Sequence, residues 1–172
     1  MAETDQDNEV EAEGKPEQGS EQAAFHVEKL YIKDLSYESP NSPDIFQNLG
    51  EPKVELNLDT GATQKGPEHY EATLHVTVTV KNAEKTLFII EISYGGIFMI
   101  RNFAKEQVDA LLGIECPTII FPYVRRVISD LVSEGGFKPL ILDPINFPAI
   151  FHQARAEEKA QEEGATDPAQ VN

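Results

Sequence analysis

TLFIIEISYGGIFMI, residues 86–100, carries the clearest structural signal in this sequence of 172 residues. β-Branched and aromatic side chains dominate as far as Tyr94 and no proline interrupts them, which is typical of a β-strand. Successive residues of a strand point to opposite faces. One predicted face is apolar and should lie against a core, and the other is mixed: Phe88, Ile90, Ile92 and Tyr94 against Leu87, Ile89, Glu91 and Ser93. The pair Gly95 and Gly96 predicts a bulge or tight bend before the pattern resumes.

Residues 69–81 show the most regular alternation in the chain and predict a second strand. The predicted inward set is Tyr70, Ala72, Leu74, Val76, Val78 and Val80, and the outward set is Glu71, Thr73, His75, Thr77 and Thr79. Residues 82–85 form a short turn, so the two strands are expected to pair as an antiparallel hairpin. A sheet with one polar face is not covered by helices on both sides.

Two further strands are predicted nearer the N-terminus. Residues 25–38 carry apolar groups on both faces, which predicts a bulge or contacts on both sides. Residues 54–58 alternate cleanly and predict a half-buried strand. Residues 39–52 and 59–68 are rich in turn formers and predict loops. Apolar residues in the first loop either pack onto the body or wall a groove.

After residue 100 the apolar spacing becomes helical. Asn102 is predicted to cap a helix that runs to about Leu112 and ends at Gly113. Residues 117–134 predict a second helix with a wide apolar face. Within it, Pro122 must either open the helix or kink it.

The C-terminal part predicts one more helix. Gly135 and Gly136 should end the preceding helix, and residues 137–147 form an apolar loop with two prolines. Asn146 is placed to cap a last helix from about Phe147. Only the first turns of that helix have apolar groups to bury.

The net charge of −16 is concentrated at the two ends of the chain. Residues 1–24 hold eight acidic side chains against one lysine and almost no large apolar group, so this segment is predicted to be disordered. Residues 153–172 predict an acidic, largely disordered tail, which leaves 25–152 as one ordered domain. So acidic a chain repels phosphate backbones, which argues against nucleic acid as a partner and favours basic proteins or peptides.

The sequence predicts a cytoplasmic protein without resident cofactors. No apolar run approaches the roughly 18 residues of a membrane helix, and the N-terminus is acidic where a secretory signal is basic. No glycine-rich phosphate loop is present. Cys116 is the single cysteine and is expected to be a buried structural thiol. The four histidines show no metal-site spacing with it: His26, His69, His75 and His152. We therefore expect no metal and no cofactor. We name no catalytic residues, although the composition leaves a small acid–base catalyst open.

Several separated stretches, in the same order, resemble the SecB family of bacterial protein-export chaperones. The resemblance extends from about Phe25 to Phe151. It is carried by YIKDLSYESPNSP (31–43), LDT (58–60), YGGIF (94–98), CP (116–117), IFPY (120–123) and PINF (144–147).

The resemblance implies an α+β fold in which a four-stranded antiparallel sheet is followed by two to three helices, with protomers assembled as a dimer of dimers. It also implies an ATP-independent chaperone that holds unfolded precursor proteins and passes them to the motor ATPase SecA for translocation across the inner membrane. The client-binding groove implied by the family comprises Ile45, Phe46, Val54, Leu56, Leu58, Phe121, Tyr123, Phe137, Leu140, Leu142 and Phe147. The implied SecA-binding residues are Asp34, Glu38, Ile89 and Glu91.

Two alternatives are weighed against this reading. A SecB-like chaperone dedicated to an antitoxin would have less use for Asp34, Glu38 and Glu91, so their presence argues against it. A small α+β enzyme with an unrecognised acid–base site would predict a cleft with perturbed carboxylates or histidines instead of open apolar grooves.

Overall fold

The fold is a four-stranded antiparallel sheet followed by helices, as predicted, in a computed structural model that describes residues 22–83 and 85–165. The strands are β1 (Ala24–Glu38), β2 (Lys53–Gln64), β3 (His69–Asn82) and β4 (Lys85–Arg101). Their order across the sheet is β1-β4-β3-β2. β4 is therefore a central strand, and β3 and β4 form the predicted hairpin.

β4 runs without interruption through its two glycines, so the predicted bulge or bend at Gly95 and Gly96 is wrong. The glycines are needed for space instead. A Cβ atom on Gly95 would lie 2.9 Å from Cζ of Tyr31, whose ring crosses the strand at that point. A Cβ on Gly96 would meet the side chains of Phe98 and Leu30.

The irregularities lie in β1, where the sequence predicted them. The pairing of β1 with β4 shifts register between Val27 and Lys29 and again between Ile32 and Asp34. Each shift inserts one unpaired residue, which changes the face to which the following residues point. The residues paired with the inward side of β4 are thus Phe25, Val27, Leu30, Ile32, Leu35 and Tyr37.

β2 is longer than predicted because Asp59–Gln64, expected to be loop, continues the strand. Asp59 pairs with His75, and Gln64 pairs with Tyr70. Only the short turn between Gln64 and His69 connects the two strands. The turn-forming residues Gly61 and Thr63 are accommodated because they pair with a long, regular neighbour.

Glu71 was predicted to face solvent, and it does lie on the outward side of β3, yet it is buried. Its oxygen Oε1 accepts a hydrogen bond from the Tyr31 hydroxyl at 2.5 Å and pairs with Nζ of Lys33 at 2.7 Å, while Oε2 lies 3.0 Å from Nζ of Lys65. Hydrogen bonds from Lys33, Tyr31 and Lys65 lower the pKa of Glu71 to about 2. The same contact and burial raise the pKa of Tyr31 to about 12, with burial the larger cause.

Leu87 was assigned to the mixed face of β4 but is buried. The register of β3 and β4 shifts at this point, because Val80 pairs with Phe88 whereas Lys81 pairs with Thr86. Leu87 is the residue left without a partner, so its side chain is free to turn towards the core.

The helix predicted from Asn102 to Leu112 starts later and does not end at Gly113. α1 is Lys105–Ala110, and the side chain of Gln107 accepts a hydrogen bond from the Ala104 N–H at 3.0 Å. Asn102 has a φ of 60°, outside the extended region that an N-cap residue adopts. A π-helical turn, Leu111–Glu115, then joins α1 directly to α2 (Cys116–Glu134).

Pro122 lies inside α2 and does not start it, because the helix begins at Cys116 with Pro117 in its first turn. The end of α2 matches the prediction. Gly135 closes the helix, and Gly136 has a φ of 82°, a conformation in which glycine is unstrained.

α3 (Phe147–Ala165) begins at the predicted cap, where Oδ1 of Asn146 accepts a hydrogen bond from the Ala149 N–H at 3.1 Å. It continues beyond residue 153, where a largely disordered tail was predicted. Arg155 pairs with Asp109 at 3.1 Å and lies over the ring of Phe151, which fixes the second and third turns. The remaining tail residues, 166–172, and most of the predicted acidic segment, residues 1–21, fall outside the described part of the chain.

The core lies between the inward face of the sheet and α2. Its fully buried members include Leu74, Ile90 and Phe98 from the sheet and Ile120 and Ile128 from the helix. Cys116 is completely buried, as predicted, and burial raises the pKa of its thiol to about 12, with a smaller contribution from Glu115. Among the described residues, no helix is both long and apolar enough to cross a membrane.

We predict that Glu71→Gln lowers the free energy of unfolding at pH 7 by about 2 kcal/mol, because it replaces charge-assisted hydrogen bonds with neutral ones. The folded-state pKa of Glu71, about 2, lies below the ordinary value of 4.5. The stabilisation is therefore complete above pH 4.5 and is lost as the pH falls towards 2. Urea unfolding at several pH values should show the parent and the variant converging over that interval.

Glu28→Gln is the control, since Glu28 is exposed on the same sheet and contacts His69 at 3.2 Å. Its effect should stay within about 0.5 kcal/mol. A constant difference between Glu71→Gln and the parent from pH 7 to pH 3 would contradict the charge-based explanation.

Candidate functional site

The first half of β2 is poorly covered by the helical layer. α2 packs over β3 and β4, and the main helical contact of β2 is with the π-helical turn near its far end. Val54 and Leu56 pair with the buried Val80 and Val78 of β3, yet they are 47% and 37% exposed. The strand predicted to be half-buried therefore presents an apolar strip to solvent at this end.

An aromatic wall stands beside this strip. The ring of Phe137, in the loop after α2, lies 5.1 Å from that of Phe46 and 5.0 Å from that of Phe88. Phe46 belongs to a short 3₁₀ helix, Asp44–Gln47, in the loop after β1, and the neighbouring Ile45 anchors this helix in the core. Two loops from opposite ends of the sequence thus meet through their phenyl rings.

Between the strip and the wall lies an open groove with a volume of about 230 Å³. Its lining is almost entirely apolar: Leu49, Gly50, Pro52, Val54, Val80, Leu87, Phe88, Phe137, Lys138, Pro139 and Leu140. The charged side chain of Lys138 is exposed at its edge. Such a surface binds apolar groups without directional hydrogen bonds, so it selects for hydrophobicity and not for sequence.

The eleven residues predicted for the groove divide by burial. Four are exposed: Phe46, Val54, Leu56 and Tyr123. Three are half-buried: Leu58, Phe137 and Leu140. Four are buried in the core and offer no accessible surface in this conformation: Ile45, Phe121, Leu142 and Phe147. Phe121 and Phe147 pack edge to face with ring centres 5.9 Å apart, which fixes the start of α3 to α2.

Eight lining residues were not among the predicted groove residues: Leu49, Gly50, Pro52, Val80, Leu87, Phe88, Lys138 and Pro139. Leu49 carried a usable signal, because it is an apolar residue in the long loop after β1. Leu87 could not be found from alternation, since its orientation follows from the register shift of β4. Of the eleven predicted residues, Val54, Phe137 and Leu140 contribute to this lining. Tyr123 does not, and it contacts Tyr94 with ring centres 6.1 Å apart.

The four residues predicted to bind SecA share the outward face of the sheet. Ser36 pairs with Glu91 and Glu38 pairs with Ile89, and Asp34, two residues before Ser36, pairs with Ser93. Directly paired residues of antiparallel strands point to the same face. The second register shift in β1 is what brings Asp34 and Glu38 into phase with Glu91.

A shallow depression of about 200 Å³ lies on this face. Asp34, His75, Thr77, Glu91 and Ser93 contribute to its lining, so the depression is largely polar and contains two carboxylates. Among the residues that the structure describes, no ion pair involves Asp34, Glu38 or Glu91. The face can therefore attract a positively charged partner without first breaking an internal pair.

The molecule thus offers two different surfaces, an apolar groove on the inward side of the sheet and an acidic face on the outward side. Across residues 22–83 and 85–165, no three His, Cys, Asp or Glu side chains stand close enough to hold a metal ion. The groove offers apolar contacts, and the outward face offers carboxylates.

The family described as preprotein translocase subunit SecB matches residues 18–158. This chain belongs to the SecB family. It is 56% identical over 144 residues to the protein-export protein SecB of Magnetococcus marinus, covering 83% of this chain and 92% of that protein. It is 48% identical over 141 residues to the SecB of Dechloromonas aromatica, covering 82% and 92%.

A solved structure confirms the fold at much lower sequence similarity. A SecB-like chaperone of Mycobacterium tuberculosis, in complex with a peptide from an antitoxin, superposes with a TM-score of 0.60 at 12% identity. The match covers 71% of this chain and 91% of that one. This structural similarity therefore supports the α+β fold.

We predict that two leucine truncations separate groove from core. Leu142→Ala should lower the free energy of unfolding by about 2–5 kcal/mol, because it leaves a cavity among buried neighbours. Leu56→Ala removes the same atoms from an exposed position, and should cost less than about 1 kcal/mol. Denaturant unfolding of both variants measures the difference, and equal losses would place Leu56 in a buried contact as well.

Proposed function

We propose that this SecB-family export chaperone holds unfolded precursor proteins in its apolar groove. The observation that carries the proposal is the exposed apolar strip of Val54 and Leu56 on β2, from which Val54 lines a groove with the aromatic rings of Phe88 and Phe137. A folded client has already buried its apolar segments, so only an unfolded one offers groups that fit this surface. We infer that the exposed and half-buried members of the predicted groove set make the client contacts.

Affinity in such a groove comes from removing apolar surface from water, worth roughly 25 cal/mol per Å² before the costs of association. One groove is too small to hold a chain firmly. Several grooves in one assembly would act on the same flexible client and raise its overall affinity without any sequence preference. Neither step requires a nucleotide, and we infer a chaperone that is not an enzyme.

We infer that protomers assemble as a dimer of dimers. Val27 and Ile32 support this, because they lie on the inward side of the edge strand β1 and are both 43% exposed. Burial of these groups between copies would stabilise the assembly.

We propose that the acidic outward face binds SecA, through Asp34, Glu38 and Glu91 with Ile89 beside them. The absence of internal ion pairs for these carboxylates in the described chain, together with the overall negative charge, favours a partner that presents basic groups. Groove and docking face lie on opposite sides of the sheet, so a client and the motor can be bound together. This arrangement suits a protein that works in the cytoplasm and hands its client over.

An antitoxin-dedicated chaperone is the alternative within the same fold. The relatives that are 48% and 56% identical carry the export name, whereas the antitoxin-peptide complex shares 12% identity. The sequence relationships therefore favour export.

The holding activity is tested by light scattering on a sizing column with a chemically denatured precursor and no nucleotide. We expect a mass near four protomers that increases by one client chain. Val54→Glu should weaken client retention at least tenfold, because a charge in the groove loses its hydration when a client covers it. Ile150→Glu, at a similarly exposed apolar site on α3, should leave retention unchanged. A monomer that ignores the client would refute the proposal.

Docking is tested with Glu91→Lys, which reverses a charge on the acidic face. We expect loss of SecA binding while client capture and assembly mass stay as in the parent. Glu55→Lys is the matched control. Glu55 lies on the same face but on β2, where its side chain forms an ion pair with Lys81. Equal loss of client capture in Glu91→Lys would contradict the assignment.

A further inference from the structure

The acidic docking face exists only because β1 breaks its own alternation. In an uninterrupted strand, Tyr31 and Asp34 would point to opposite faces, since they are three residues apart. Here Tyr31 pairs with Gly95 and Asp34 pairs with Ser93, so both share the outward face. Lys33 is the unpaired extra residue of this bulge, and it shifts the alternation of β1 by one residue. The outward orientation of Asp34 and Glu38 therefore depends on it.

The side chains on this bulge converge on one buried carboxylate across the sheet. Lys33 and Tyr31 both bind Oε1 of Glu71, at 2.7 Å and 2.5 Å. Glu71 belongs to β3, so these contacts span β4, and they pass over Gly95, where a Cβ would strike the Tyr31 ring. The bulge is thereby tied to a strand that β1 does not pair with.

The second oxygen of Glu71 has a different partner. Lys65, from the turn between β2 and β3, lies 3.0 Å from Oε2, and among the described residues it forms no ion pair with β1. Lys33 and Lys65 thus carry the same charge and pair with the same residue, and their side chains are 39% and 49% exposed. They differ in whether they hold the bulge.

We propose that Lys33 and Glu71 are positioning residues for motor docking: the ion pair fixes the bulge that sets Asp34 and Glu38 in phase with Glu91. The proposal rests on the assignment of SecA binding to the acidic face. The pair has a second effect, because Glu71 keeps the Lys33 ammonium away from the adjacent carboxylate of Asp34. A released Lys33 could pair with Asp34 and cancel a docking charge.

The experiment compares Lys33→Met with Lys65→Met by measuring the affinity of each full-length variant for purified SecA. Both substitutions remove one positive charge and one ion pair from Glu71. Lys33→Met should bind SecA about fivefold more weakly, a coupling of ordinary size between neighbouring groups, although its face is more negative. Lys65→Met should bind within about twofold of the parent. Equal affinities of the two variants, or tighter binding by Lys33→Met, would overturn the proposal.

A mutant cycle with the double variant Asp34→Asn/Glu38→Gln separates positioning from general loosening of the fold. If Lys33 acts through these two carboxylates, Lys33→Met should change SecA affinity less than twofold in that background. An undiminished fivefold loss there would overturn the proposal. Glu71→Gln keeps the shape of the side chain and should weaken SecA binding like Lys33→Met, which covers the case in which Lys33→Met folds poorly.

The failure of this inference can be told apart from failure of the proposed function. If Glu91→Lys leaves SecA affinity unchanged, the docking face itself is misassigned. If Glu91→Lys abolishes binding while Lys33→Met and Glu71→Gln leave it unchanged, the docking face stands and the positioning role of Lys33 and Glu71 is refuted.

Discussion

One long helix is narrower than the inward face of a four-stranded sheet. Neighbouring strands lie about 4.8 Å apart, and a helix with its side chains is about 10–12 Å across. α2 therefore covers β3 and β4 and leaves the outer strands partly bare. Val54 and Leu56 on one edge, and Val27 and Ile32 on the other, are exposed for this reason. The apolar surface available to a client or a second protomer is a consequence of that mismatch in width.

The outward face is organised by a different constraint, the way β1 keeps pairing with β4 through two bulges. The bulges let Leu30, Ile32, Leu35 and Tyr37 face inward. They also place polar residues of β1 on the outward side of the sheet, opposite their partners in β4. Each bulge weakens the hydrogen bonding between β1 and β4 locally. The contacts of the Tyr31 ring and of the buried Glu71 offset this loss. Core formation and the acidic surface thus depend on the same irregularity.

The sequence predicted what alternation and capping determine. The strands around the β3–β4 turn, the end of α2 at Gly135 and the cap at Asn146 follow from local chemistry. The mistakes share a cause, which is contact with residues distant in the chain. Gly95 is a glycine because the Tyr31 ring lies over it, and Glu71 is buried because three partners from elsewhere neutralise it. Likewise, the position of α2 decides whether an apolar loop residue lines the groove or fills the core. The spacing of apolar residues in the sequence does not reveal that position.

The burial of Cys116 has a practical meaning for the dynamics of the protein. Thiol reagents attack the thiolate, and this thiol has no exposed surface and a pKa raised to about 12. It therefore stays inert while the first turn of α2 rests on the sheet. Because the chain has a single cysteine, its alkylation rate reports one event, the lifting of that helix. The protein carries its own probe of core opening, and no second thiol in the chain can form a disulfide with it.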